Sequence, residues 1–335
     1  RRPTQSSEIF LRMNARGMPG LLTALVILLL QFKALVSFNP STAGVRFVRS
    51  NPIQTLMSQR IDSHLHLWSP DGERYPWDIP PPDNLNSNGL ATSENFIKLM
   101  DGANVAHAMV VQPINYGQDY KYLIDAMDAY PTRLKGMFLA DPTVPTSEAS
   151  AWIDERAGSH ANWVGVRFNP YKWPEDSETG MADDTGKAMF QRAGELGLVV
   201  GFMPFKGLCR HTSEIEALLR SAPQTQVIID HWGFFLQPAT GTGDDRAVDE
   251  ESWKCLLALS SFPQVSVKIS ALFRVAKDQL PFASLSKRLE DLLSAFGSTR
   301  LLWGSDFPFV TEHSEYSQAV QAIEQWPVWQ ELSQA

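Results

Sequence analysis

Ile61-Asp62-Ser63-His64-Leu65-His66-Leu67-Trp68 alternates residue types with the two-residue period of an extended strand. On such a strand His64 and His66 share one face, while Leu65 and Leu67 take the other. Two imidazoles side by side at a strand end can hold a metal ion or polarise a carbonyl group. A short His-x-His also arises by chance, so its meaning depends on what the rest of the chain brings beside it.

From Arg60 onward, short β-branched runs alternate with amphipathic stretches. The runs 107–112, 134–139, 163–168, 198–203, 226–230, 265–269 and 300–303 read as strands two to eight. The stretches between them, among them 120–130, 187–196, 212–222, 250–260, 282–296 and 313–325, read as helices. This alternation predicts a parallel sheet with helical crossovers. Eight such units over about 270 residues match the size of a single-domain α/β fold, a (β/α)8 TIM barrel, spanning residues 61–335. The segment 69–93, with Tyr75-Pro76-Trp77 and Pro80-Pro81-Pro82, is a long loop expected to serve as a lid or a substrate wall.

Residues 1–60 have a different composition. Between Ile9 and Ile61 there is no acid, and the ten-residue run from Leu21 to Leu30 follows Arg12 and Arg16. That run has the length of a signal-peptide apolar core and is short for a membrane span. The basic, hydroxyl-bearing stretch after it has transit-peptide composition. The expectation is a targeting segment that directs the barrel to the secretory pathway or a plastid. A cytoplasmic location follows instead if the reading frame is over-extended and Met13 or Met18 is the start. Residues 1–60 hold eight basic residues and one acid, which leaves 21 basic and 36 acidic residues in the body, a net charge of −15. Such a body repels phosphate backbones and excludes nucleic acid as a partner. It is expected to work off the membrane, on a small molecule. Cys209 and Cys255 fit neither a disulfide framework nor a zinc spacing and read as buried free thiols.

In a barrel of this kind the C-terminal strand ends converge on one pocket. The sequence places there His64 and His66 (strand one), Gln112 (two), Arg167 and Asn169 (four), Asp230 and His231 (six), Lys268, Ser270 and Arg274 (seven), and Ser305 and Asp306 (eight). Each has a plain alternative reading. Asp306 could cap a helix, His231 could be a hydrogen-bonded core histidine, and Arg167 could pair with a neighbouring carboxylate. Lys268 could be a surface lysine with a buried stem. His107 reads as structural, and His160, His211 and His313 as loop or solvent histidines. What these alternatives leave unexplained is the convergence at one end of different strands.

Four motifs in order, Ile61-Asp-Ser-His-Leu-His-Leu-Trp68 followed by Tyr75-Pro-Trp77, then Val164-Gly-Val-Arg-Phe-Asn169, Ile229-Asp-His-Trp-Gly233 and Leu302-Trp-Gly-Ser-Asp-Phe-Pro308, resemble the amidohydrolase superfamily. The branch is that of sugar lactonases such as L-fuconolactonase and of the 2-pyrone-4,6-dicarboxylate lactonases. The resemblance implies a hydrolase whose catalytic set is His64, His66, His231 and Asp306. Met203 departs from it, because metal-binding branches commonly place His or Lys on strand five, and a thioether is a poor ligand for zinc. The resemblance leaves two options open, one zinc held by His64, His66 and Asp306, or no metal.

The expected reaction is lactone opening, with Asp306 as general base toward water and the three imidazoles stabilising the oxyanion. Arg167, Lys268 and Arg274 would hold a substrate carboxylate or hydroxyls, with Gln112 beside them, and Tyr75 and Trp77 would wall the ring. A zinc-dependent decarboxylase of an aromatic or unsaturated acid is one alternative. A non-catalytic carboxylate-binding barrel is the other.

Overall fold

The computed structural model describes residues 60–174, 179–236 and 246–332. The targeting segment expected in residues 1–60 lies outside them except for Arg60, which opens the first strand. Eight parallel strands follow one another around the sheet in sequence order. They are β1 (Arg60–Leu65), β2 (Val105–Val111), β3 (Leu134–Leu139), β4 (Trp163–Phe168), β5 (Val199–Phe202), β6 (Val227–Ile229), β7 (Val265–Ser270) and β8 (Leu301–Gly304). The crossover helices are α1 (Ser93–Gly102), α2 (Lys121–Ala129), α3 (Ala149–Gly158), α4 (Asp184–Glu195), α5 (Thr212–Ser221), α6 (Glu250–Ala258), α7 (Ser286–Phe296) and α8 (Tyr316–Ala322). This is the predicted (β/α)8 barrel. The strands are rich in aliphatic residues because helices cover the outside and side-chain layers fill the inside, the polar exceptions including Asp62, His64, Arg167 and Lys268.

The seam between the first and last strands positions the chemistry. Leu65 bridges Phe307 in parallel. Asp306 N–H donates to His64 C=O at 2.8 Å, and His66 N–H donates to Phe307 C=O at 2.7 Å. Beneath them the fully buried Asp62 carboxylate accepts from the N–H groups of His64 (3.1 Å) and Ser305 (3.0 Å), and from the Tyr316 hydroxyl of α8 (3.1 Å). Gly304 permits this approach. A Cβ there would lie 2.8 Å from His64 Cβ and 2.9 Å from His64 N, closer than packed atoms come. The sequence thus draws His64, His66 and Asp306 together through backbone contacts as well as side chains.

Helix starts follow local capping. Thr92 accepts from Asn95 N–H, Asp183 from Gly186 N–H and Asp249 from Ser252 N–H, each taking up an otherwise orphaned donor. The last crossover helix is shorter than its periodicity predicts. Gln318 folds back on Glu315 N–H and starts α8 at Tyr316, while residues 309–312 form a separate 3-10 turn. Among the described residues no helix is long and apolar enough to cross a membrane.

The two cysteines depart from the sequence reading. Cys209 is exposed and Cys255 half-buried. Distant in sequence, they are neighbours in space, because the turn carrying Cys209 packs on α6. Cys209 N–H donates to Ser252 Oγ at 3.1 Å, one helical turn before Cys255.

Candidate active site

At the C-terminal end of the barrel, three imidazole nitrogens face one carboxylate oxygen. His66 Nε2 lies 3.6 Å from Asp306 Oδ1, and the Nε2 atoms of His64 and His231 each lie 3.8 Å from it. These gaps are too long for hydrogen bonds, and an oxygen atom at hydrogen-bond distance from both groups would sit off the line that joins them. Among the described residues, His64 Nε2 and Asp306 Oδ1 are buried without a hydrogen-bond partner. Asp306 Oδ2 accepts instead from Arg274 Nε at 2.5 Å. The backbone is left-handed at His231 (φ 48°) and Asp306 (φ 60°), a costly conformation that side-chain-bearing residues adopt mainly where a site demands it.

The outer nitrogen of each ring is held. His66 Nδ1 lies 2.8 Å from Val111 C=O, which can only accept, so this nitrogen carries the hydrogen and Nε2 bears a lone pair. His231 Nδ1 meets Ser270 Oγ at 2.8 Å, a hydroxyl that can donate or accept. His64 Nδ1 lies 3.0 Å from Lys268 Nζ. Burial pushes all three imidazoles down, His64 and His231 far below the usual range and His66 to about 3. For His64 the cations Lys268 and Arg167 add to the effect. All three are neutral at physiological pH.

Burial raises the Asp306 carboxyl, against the opposing pull of Arg274 and Arg167. Asp230 behaves in the opposite way. Burial pushes it up, but Lys268 at 3.1 Å and Arg167 at 3.3 Å outweigh that and hold it below the ordinary range. Asp230 is therefore the counter-ion of two buried cations. The sequence places it at the strand end but assigns it no role. Its signal is a carboxylate directly after the three aliphatic residues of a buried strand, where an unpaired charge would be costly.

The floor opens into a cavity of about 510 Å³. Its lining includes His66, Arg167, His231, Arg274 and Asp306, with Met203 on the strand-five side. Trp68, Phe234, Phe273 and Phe309 supply its aromatic walls. Trp68 and Phe309 meet edge to face at 5.6 Å, and the Arg274 guanidinium lies 4.6 Å from the Phe309 ring centre.

Several expected site residues lie elsewhere. The Tyr75 hydroxyl donates to Asp125 at 2.6 Å, and the Trp77 ring covers Gly72. Neither is among the residues that line the cavity; both pack within or against the 69–93 loop. Gln112 spends its amide hydrogens on the carbonyls of Gly117 (3.3 Å) and Asp119 (2.8 Å), outside the lining. Lys268 is neither a surface lysine nor a lining residue. It is fully buried behind the floor, as is His64. His313, read as a loop histidine, lines the cavity and stacks on Phe273 at 4.5 Å.

His64, His66 and Asp306 are the one group of three or more His, Cys, Asp or Glu among the described residues whose ligand atoms lie close enough for one metal ion, all within 4.8 Å of each other. Their positions suit a metal. Their lone pairs do so only in part, since His66 Nε2 and Asp306 Oδ1 offer one and His64 faces a lysine from behind. Met203 adds no donor suited to zinc.

The amidohydrolase family profile matches residues 61–335. The chain belongs to the amidohydrolase family. Its relatives include a 4-sulfomuconolactone hydrolase of Hydrogenophaga intermedia, 25% identical over 273 residues and covering 79% of each chain. An L-fucono-1,5-lactonase of Burkholderia ambifaria is 23% identical over 260 residues, covering 75% of this chain and 81% of the relative. An amidohydrolase of Burkholderia multivorans crystallised with zinc shares the fold, with a TM-score of 0.59 at 20% identity, over 82% of this chain and 92% of that one. The family, the barrel and the motif-bearing strand ends therefore stand as the sequence predicted.

Proposed function

We propose that this amidohydrolase opens a lactone that carries an acidic group. The observation behind the reading is the convergence of three neutral imidazoles on Asp306 Oδ1, at 3.6–3.8 Å, with His66 and His231 on the floor of a cavity lined by arginines and aromatic rings and His64 behind it. The names of the curated relatives, a sulfomuconolactone hydrolase and a fuconolactonase, support the same chemistry.

A water that bridges Asp306 Oδ1 and the His66 Nε2 lone pair from beside the line joining them has an acceptor for each hydrogen, which aims its oxygen lone pair at a carbonyl above. The ionised Asp306 takes one proton as the water oxygen bonds to the carbonyl carbon. With Ser270 donating to Nδ1, His231 Nε2 carries a hydrogen and polarises the carbonyl oxygen. The ring C–O bond then breaks, and Asp306 returns its proton to the departing ring oxygen. Water has been added across one ester bond, and the product is a hydroxy acid that ionises and releases a proton. Arg167 supplies the anchor for the substrate's acidic group. It is 4% exposed, and its Nε has no hydrogen-bond partner among the described residues. A guanidinium suits a planar carboxylate because it binds through two N–H groups. If a divalent metal binds, His66 and Asp306 would hold it, and it would supply Lewis acidity at the carbonyl.

The test is a pH-indicator screen of purified protein against 2-pyrone-4,6-dicarboxylate, sulfomuconolactone and L-fucono-1,5-lactone, run beside carbon dioxide release from aromatic acids. Acid release from an anionic lactone is expected, falling about 10²–10⁴-fold in Asp306→Asn. Turnover unaffected by that substitution, or carbon dioxide as the sole product, would refute the reading.

A further inference from the structure

Lys268 reaches two partners. Its Nζ lies 3.1 Å from Asp230 Oδ1 and 3.0 Å from His64 Nδ1. Asp230 Oδ1 lies 3.3 Å from that same His64 nitrogen. The three atoms form a triangle, and with Lys268 as the ammonium that Asp230 favours against burial, the hydrogens in it can be placed in two ways. With a hydrogen on Nδ1, His64 would donate to Asp230, but its N–H would stand 3.0 Å from an ammonium that has donors and no lone pair. Two donors facing each other at that distance repel. With a lone pair on Nδ1, His64 accepts from Lys268, and Lys268 keeps hydrogens for Asp230. The second arrangement removes the facing donors and keeps Lys268 as the ion-pair partner of Asp230.

We propose that Lys268 is a positioning residue that fixes His64 as its Nε2–H tautomer, so that His64 presents an N–H, and not a lone pair, to the space beside Asp306 Oδ1. The two histidines of the opening motif then have opposite polarity. His66, tied through Nδ1 to Val111 C=O, turns a lone pair toward that space, and His64 turns a hydrogen. One is equipped to hold a water by its hydrogen, the other to donate to an oxygen. An imidazole nitrogen that carries hydrogen cannot ligate a metal, so Lys268 also removes one of the three ligands that the sequence pattern offers to zinc. The inference names the state of the site that performs the proposed lactone opening, but it is tested without substrate.

The experiment is two-bond 1H–15N correlation of the full chain labelled at histidine, with His64→Gln and His66→Gln used for assignment. The nitrogen shifts report which ring nitrogen is protonated. His64 is expected as the Nε2–H form and His66 as the Nδ1–H form. A His64 spectrum of the Nδ1–H form in the unsubstituted protein overturns the inference. In Lys268→Met, His64 should switch to the Nδ1–H form facing Asp230, and zinc affinity by competition with a chromophoric chelator should rise at least tenfold. Lys268→Gln retains an N–H donor without the charge and should keep the original tautomer. If it switches as the methionine variant does, the charge and not the hydrogen bond sets the ring, and the inference fails. Should the methionine variant not fold, the unsubstituted protein and the glutamine variant still decide the question. Lactone turnover enters neither readout, so failure of the proposed function and failure of this inference are separate results.

Discussion

Asp306 is held between two opposed influences. Burial favours its protonated form, while the Arg274 hydrogen bond and the Arg167 charge favour the carboxylate that a general base requires. Removing Arg274 removes the larger of the two restoring contributions. In Arg274→Gln the acid limb of the kcat/KM profile should move to higher pH, with kcat/KM at neutral pH falling about 10–100-fold, the usual effect of losing a hydrogen bond between charged groups. A limb that stays in place while KM alone rises would assign Arg274 to binding only. At this scale the sequence was readable where a side chain's place follows from strand order, as for His64, His66, His231 and Asp306. It was not readable where the partner is set by packing across the barrel. Nothing local distinguishes Lys268 from a surface lysine until Asp230 and His64 are seen against it. Nor does Tyr75 differ from a substrate-stacking residue until its hydroxyl is found on Asp125.

Strands were more legible than the segments joining them. β3 and β4 have the limits that their largely apolar runs indicate. The 69–93 loop contains a helical turn at Asp83–Asn86 and is tied by the Asn115 amide to Ile79 C=O, contacts that no periodicity announces. The seam of β1 and β8 carries its own prediction. Burial raises the Asp62 carboxyl to about 6, although hydrogen bonds from Ser305, His64 and Tyr316 pull the other way. A carboxyl with a raised folded-state pKa contributes stability below its unfolded value that is lost as pH rises toward 6. For a carboxyl raised this far, the loss amounts to about 2–3 kcal/mol. Asp62→Asn keeps the acceptor for Ser305 and His64 and cannot ionise. Its stability relative to the parent, from urea unfolding, should therefore be favourable at about pH 7 and decline by about that amount on going to about pH 4. A difference that is constant with pH would show that Asp62 is not the titrating group. The three neutral imidazoles act in the opposite sense, losing stability as pH falls below about 6.5 toward their depressed values, so the chain as a whole should still be weakened by acid.

Seen whole, the molecule is an acidic body whose one described catalytic cavity is cationic. Composition alone establishes the first half of that statement, with a body charge of −15. The second half required the fold, because Arg167, Arg246 and Arg274 come from separate segments and meet only at the barrel's end. Arg246 also donates to the carbonyls of Phe273, Arg274 and Ala276, which fixes the loop that presents Arg274. This cationic wall has a consequence for the end of the catalytic cycle. Opening a lactone creates a carboxylate, so the molecule that leaves carries one more negative charge than the one that entered. The guanidinium groups that attract the substrate hold the product more strongly. Progress curves should bend before the lactone is exhausted, and added hydroxy acid should compete with the lactone at a concentration below its KM. Linear curves to completion would mean that the cationic wall does not reach the newly formed charge. Bent curves would mean that turnover is set by how quickly the enzyme lets go of what it has made.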